Sequence, residues 1–166
     1  MPDALLSWYQ QYALDPAGAR RRLSGRSVLV YEPPTEGDTE EFQFQTSGGV
    51  LSVPIGGTEP VVALIEKTQN NAFQRRVTLG RTTNNDIEIA DASVSRFHAW
   101  LEKSDAGEWQ LADAGSRNGT QIGGRRIDAR ALQVLTPGAR LKVGSVLLTY
   151  HSADSFLAEL ERRSKL

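Results

Sequence analysis

Between Val61 and Tyr150 the apolar residues come in short alternating runs, each stopped by glycine, asparagine or aspartate. Successive side chains of a strand point to opposite faces, so such runs bury one face each and need a second sheet to bury it against. Residues 61–66, 76–79, 87–89, 97–101, 109–111, 121–122, 126–127, 140–143 and 146–150 read as strands. Gly123-Gly124 fits a tight hairpin turn that needs positive φ, and Val143-Gly144-Ser145-Val146 fits another. The expected fold class is all-β, an antiparallel β-sandwich of about 11 strands.

The two ends of the chain follow a different period. Leu5, Trp8, Tyr9 and Tyr12 recur at helical spacing, which predicts an amphipathic helix over residues 3–13. Asp15-Pro16 supplies an N-cap and a proline at the first helical position, predicting a second helix over residues 17–23. Its Arg20-Arg21-Arg22 run is either a docking patch or a solvated helix face. Ser27 to Tyr31 is strand-like. Glu32 to Glu41, with two prolines, a glycine and five acidic residues, reads as an extended linker. Phe42–Gln45 and Val50–Val53 flank Thr46-Ser47-Gly48-Gly49 as in a hairpin. Residues 153–163 predict a closing helix, with Asp154 near its start and Arg162 and Arg163 near its end, as the helix dipole favours.

Composition narrows the function classes. A chain of 166 residues with 39% hydrophobic content holds one ordinary domain with extensions. Nineteen basic residues against 20 acidic ones leave a formal charge of −1, so anion recognition is expected to be local rather than the broad basic surface of a nucleic-acid binder. The chain has no cysteine, hence no disulfide framework and no thiolate metal site. No apolar run approaches the roughly 20 residues that span a bilayer, and no signal-peptide pattern opens the chain. A cytoplasmic protein without membrane or nucleic-acid partners is expected.

Polar clusters fall where the strand runs stop: Leu79-Gly80-Arg81, Asn85-Asp86, Ser95-Arg96-Phe97-His98 and Ser116-Arg117-Asn118-Gly119-Thr120. In this order and register they resemble the forkhead-associated (FHA) domain, a phosphothreonine-binding β-sandwich, over residues 61–150. The corresponding division is 1–57 as an amino-terminal extension, 58–151 as the FHA domain and 152–166 as a carboxy-terminal helix. Two departures stand out: Gly123-Gly124 replaces the usual Asn-Gly, and Phe97, at a position often polar, is expected to deepen the core.

The resemblance implies a site. Phosphothreonine carries about −1.5 to −2 charges and three acceptor oxygens, so its receptor needs fixed donors and a permanent cation. By resemblance Arg81 is the principal phosphate contact. Ser95, with a hydroxyl and a backbone N–H to offer, is the second. Arg96 and Arg117 contribute at the phosphate or peptide edge, and Asn118 grips the peptide backbone. Gly80, His98, Gly119 and Thr120 brace the loops. Asn84, Asn85 and Asp86 read as loop formers, and residues 82–85 and 121–126 as the source of further selectivity.

Three functions compete. The first is a non-catalytic module recruiting a protein marked by a Ser/Thr kinase, the kinase itself or its substrate. The second adds self-regulation, Thr35 or Thr39 folding back onto Arg81 and Ser95 once phosphorylated. The third is a phosphate-independent scaffold or oligomerisation protein using Trp8, Tyr9 and Tyr12 as anchors. An enzyme is the least expected class: the chain has no Gly-x-x-x-x-Gly-Lys loop, no nucleophile elbow and no metal-ligand cluster, and no cofactor is implied.

Overall fold

A computed structural model of the chain describes residues 2–34 and 55–166. The expected hairpin within residues 42–53, most of the acidic linker, and Thr35 and Thr39 lie outside the described residues. Two sheets face each other. One, in spatial order, is β1 (Asp3–Ala4), β3 (Val61–Leu64), β2 (Val28–Tyr31), β12 (Val146–His151), β11 (Arg140–Val143), β8 (Thr120–Ile122) and β9 (Arg125–Arg126). The other is β10 (Gln133–Val134), β7 (Trp109–Asp113), β6 (Ala99–Lys103), β4 (Val77–Gly80) and β5 (Ile87–Glu88). The sandwich is the expected one, with one difference in its ladders: β4 and β5 pair parallel, Leu79 against Ile87.

The core between the sheets takes one face of each strand. On β12, Val146, Leu148 and Tyr150 are buried and Leu147 is exposed. They meet Leu79, Leu101 and Leu111 from the opposite sheet. Strand β2 is buried along its whole length, because Leu29 and Tyr31 enter this core while Val28 and Val30 enter a second one. That second core joins Val28, Val30 and Val62 to Leu5, Trp8, Leu23, Phe156, Leu157 and Leu160 of the helices α1 (Leu5–Leu14), α2 (Pro16–Leu23) and α3 (Ala153–Ser164). The helices thus form a layer over the outer face of the seven-stranded sheet.

Strand β2 lies between β3 and β12, in register Leu29 against Ala63 and Tyr150, so the sandwich is incomplete without residues 28–31. A four-residue run read in isolation says that a strand exists but not which sheet takes it up.

Local chemistry explains the helices. The Asp15 carboxylate accepts from the Gly18 N–H at 2.9 Å and Pro16 opens α2, while Ser152 accepts from the Ser155 N–H at 3.2 Å to start α3. The arginine triplet is tied into the helical layer. Arg20, Arg21 and Arg22 face Asp154, Asp15 and Asp3, and Arg22 also stacks 3.9 Å over Trp8. Trp8 is fully buried and meets Phe156 edge-on at 5.4 Å, which makes it a core residue of this layer.

Phe97 departs from expectation. The extended backbone begins only at Ala99, so the alternation that would turn Phe97 inward does not reach it. It is 37% exposed and stacks between Phe73 (5.7 Å) and Trp100 (6.2 Å) on the outer face of the five-stranded sheet.

Asp86 fixes the loop that follows β4. Its fully buried carboxylate accepts from Lys67, from the Thr68 N–H and hydroxyl, and from the Thr78 N–H at 2.8 Å. Burial alone would raise its pKa, but these hydrogen bonds together outweigh burial and hold it at about 2, against an ordinary 3.8. The stabilisation is therefore full above pH 4 and is lost as pH falls through 2, about 2 kcal/mol in all. In acid titrations followed by circular dichroism, Asp86→Asn is expected to lower stability at pH 7 and to flatten the loss between pH 4 and 2. An unchanged acid limb would contradict this assignment.

Candidate functional site

The polar clusters meet at one end of the sandwich. Strand β4 runs toward that end and β6 starts from it, so residues 81–86, 89–98 and 114–119 are loops projecting from the same edge. What places them is a set of close backbone approaches. A Cβ added to Gly80 would lie 2.0 Å from the Arg96 carbonyl oxygen, so only glycine lets the end of β4 lie against that loop. The Arg81 N–H then donates to the Ser95 carbonyl at 3.0 Å, and the buried Asn85 carboxamide donates to the Arg96 carbonyl at 2.6 Å.

Arg81 is exposed and half committed. Its Nε–H donates to the Val94 carbonyl at 2.9 Å, which fixes the plane of the guanidinium and leaves its two terminal nitrogens without partners among the described residues. A guanidinium held by its Nε offers a fork suited to a phosphate or carboxylate.

His98 is fully buried and bridges two loops. Its Nδ1 accepts from the Ser95 N–H at 3.0 Å. The proton therefore sits on Nε2, which donates to the Gly119 carbonyl at 2.9 Å. Burial is the main cause that lowers its pKa, with the Gly119 carbonyl and Asp113 opposing, so the ring is neutral near pH 7. Both ring nitrogens are occupied, and neither contacts the Ser95 hydroxyl. The Ser–His pair is thus not assembled as nucleophile and base.

Ser95 offers less than the sequence suggested. Its backbone N–H is committed to His98, and its Oγ accepts from the Arg117 N–H at 3.1 Å, leaving the hydroxyl proton to donate outward. Asn118 crosses the same gap, its Nδ2 donating to the Ser93 carbonyl at 2.7 Å. Arg96 and Arg117 present exposed side chains at this rim. Arg81, Ser95, Arg117 and Asn118 are thus linked directly or through the 93–95 segment, and Arg96 lies next to them.

One bracing residue escaped the sequence reading. The Asp113 carboxylate accepts from the Gly115 and Ser116 N–H groups, both at 2.8 Å, and from the Ser116 and Thr120 hydroxyls. Burial would raise its pKa, but these four donors outweigh burial and lower it. It shapes the 114–119 loop from beneath, with Thr120 fully buried against it. The signal was present as Asp113-Ala114-Gly115-Ser116, an Asx turn at the end of a strand. Among the described residues, no three His, Asp or Glu side chains group as a metal site.

The sequence profile of the FHA domain matches residues 77–144, which hold every cluster just described. The oxoglutarate dehydrogenase inhibitor of Corynebacterium glutamicum is 34% identical over 110 residues, covering 63% of this chain and 71% of that protein. The chain belongs to the FHA family. An ABC transporter ATP-binding/permease protein of Mycobacterium tuberculosis is 36% identical over 146 residues, covering 82% of this chain but only 15% of the transporter. The crystal structure of an FHA domain from a Chlamydia trachomatis protein superposes with a TM-score of 0.53 at 18% identity, covering 76% of this chain and 97% of that one. That likeness concerns the fold, the FHA sandwich itself.

Proposed function

We propose that the chain is a phosphothreonine-dependent binding module that recruits a protein phosphorylated by a Ser/Thr kinase. The observation that carries this reading is the exposed Arg81 guanidinium, pinned through Nε with its terminal nitrogens free of partners among the described residues, beside the Ser95 hydroxyl and the Asn118 carboxamide. In this reading Arg81 and Ser95 hold the phosphate, Arg96 and Arg117 add charge at its rim, and Asn118 exchanges its bond to Ser93 for the peptide backbone. Gly80, His98, Gly119 and Thr120 keep the loops in place. The role is binding without catalysis, since His98 is neutral and doubly engaged.

The burial of Trp8 in the helical layer speaks for this reading over an oligomerisation protein anchored through α1. Two charge-assisted hydrogen bonds, each contributing about 1.5 to 3 kcal/mol, make the phosphate decisive. Titrating the protein with a phosphothreonine peptide and its unphosphorylated twin is expected to show at least about a hundredfold difference in Kd. Equal affinity for the two peptides would overturn the proposal.

A further inference from the structure

Two groups among the chain's 15 arginines bear on the site; of the others, Arg76 faces Glu102, and Arg75, Arg125, Arg130 and Arg140 face no carboxylate among the described residues. Arg20, Arg21, Arg22, Arg26, Arg162 and Arg163, in and beside the helical layer, each face a carboxylate. Arg81, Arg96, Arg117 and Arg126, at the loop end, face none among the described residues. The chain has more acidic than basic residues, so carboxylates are not scarce. Those at this end, Asp86, Asp91 and Asp113, are engaged by Lys67, Ser93, Ser116 and Thr120 instead.

Arg126 is the member of the second group that the family's motif does not account for. It lies in β9, opposite Gln121 in β8, and the two-residue Gly123-Gly124 turn, with φ of 58° and 81°, fixes that register. Its guanidinium rests on Gly119: a Cβ there would lie 2.8 Å from Arg126 Cζ and 2.9 Å from Nε. Gly119 thus answers two demands, a φ of 83° and room for this side chain. The consequence is a permanent cation one residue beyond Asn118, on a hairpin whose geometry is set by backbone pairing.

We propose that Arg126 is a second anion determinant of the binding surface. It selects phosphothreonine segments carrying another negative group, a flanking carboxylate or a second phosphate, on the side of the ligand held by Asn118. This rests on the phosphothreonine reading of the site and adds the class of ligand to it. The ground is charge complementarity. A guanidinium held at a recognition loop without an internal carboxylate is satisfied by water in the free protein and by an anion in the complex, where the bond is partly desolvated and stronger.

The experiment uses the full chain and one phosphothreonine peptide sequence, prepared with neutral flanks, with a single Glu at successive flanking positions, and with phosphoserine at the Glu position that binds best. At one or two adjacent positions Glu is expected to tighten binding about tenfold, one charge-assisted hydrogen bond's worth, and the gain is expected to shrink as salt rises. A carboxylate reader favours Glu over phosphoserine, and a phosphate reader the reverse. In Arg126→Ala the ratio between acid-flanked and neutral-flanked affinities is expected to collapse toward one, whereas Arg125→Ala, removing the neighbouring charge, keeps the ratio. In Arg126→Glu the preference is expected to turn toward Lys at the same position.

The proposal is overturned if no flanking acid improves wild-type binding, or if Arg126→Ala retains the gain. If the neutral-flanked peptide binds equally well with and without its phosphate, the phosphothreonine reading itself fails, and that result is distinguishable from the loss of a flank preference.

Discussion

Arg81→Ala is expected to weaken phosphothreonine-peptide binding at least about a hundredfold while shifting the melting temperature by no more than about 3 °C. The two halves of this expectation come from different atoms of one side chain. The terminal nitrogens have no partner among the described residues, so removing them is expected to cost the fold little but to cost the complex its charge-assisted bonds. The Nε–H bond to the Val94 carbonyl is the only hydrogen bond the side chain makes among the described residues, and it joins an exposed residue to a loop carbonyl. Such a bond contributes about 1 kcal/mol.

Arg81→Lys sharpens the test. It keeps the charge but gathers its donors on one nitrogen, so it loses the planar fork that bonds Val94 with one nitrogen and grips a phosphate with the other two. An intermediate loss, about tenfold, is expected if the fork geometry matters, and almost none if charge alone does. Calorimetric titration paired with thermal unfolding reads both halves. Binding by Arg81→Ala within about threefold of wild type would remove Arg81 from the site, since one charge-assisted bond is worth more than that.

How much of this could be read in the sequence depended on the range of the interaction. Strands and caps were legible because their causes are local: the alternation on β12, Asp15-Pro16 before α2, and Gly123-Gly124 between β8 and β9 act over a few residues. The loop clusters were legible because their order along the chain carries the family pattern. The ladder that takes up β2 was not legible, since pairing of Leu29 with both Ala63 and Tyr150 is decided across long stretches of chain. Phe97 was misplaced for a related reason: alternation was extended over a residue that precedes its strand. The very short strands β1 and β10, two residues each, carry no periodicity to detect. Their pairing to β3 and β7 is imposed by the neighbours.

Gly80→Ala is expected to be the most damaging single methyl in the site, lowering stability by about 2 to 3 kcal/mol and removing peptide binding together with it. Gly80 needs space rather than a left-handed backbone. Its missing side chain would meet the Arg96 carbonyl oxygen at 2.0 Å and the Asn85 Nδ2 at 2.6 Å, and the first of these is backbone, which cannot swing aside. To admit a methyl, the 95–97 segment has to move away from the end of β4. That motion strains the Arg81 N–H bond to Ser95 and the Asn85 bond to Arg96, and with them the spacing between guanidinium and hydroxyl. Asn85→Ala separates steric from bonding effects. It deletes the carboxamide that donates to the Thr82 and Arg96 carbonyls without adding volume, so a smaller loss of about 1 to 2 kcal/mol is expected, with binding weakened but measurable. If Gly80→Ala unfolds at the wild-type temperature and still binds the phosphopeptide, the close approach of β4 to residue 96 is not what sets the site, and its rigidity has to be sought instead in His98 and Asp113.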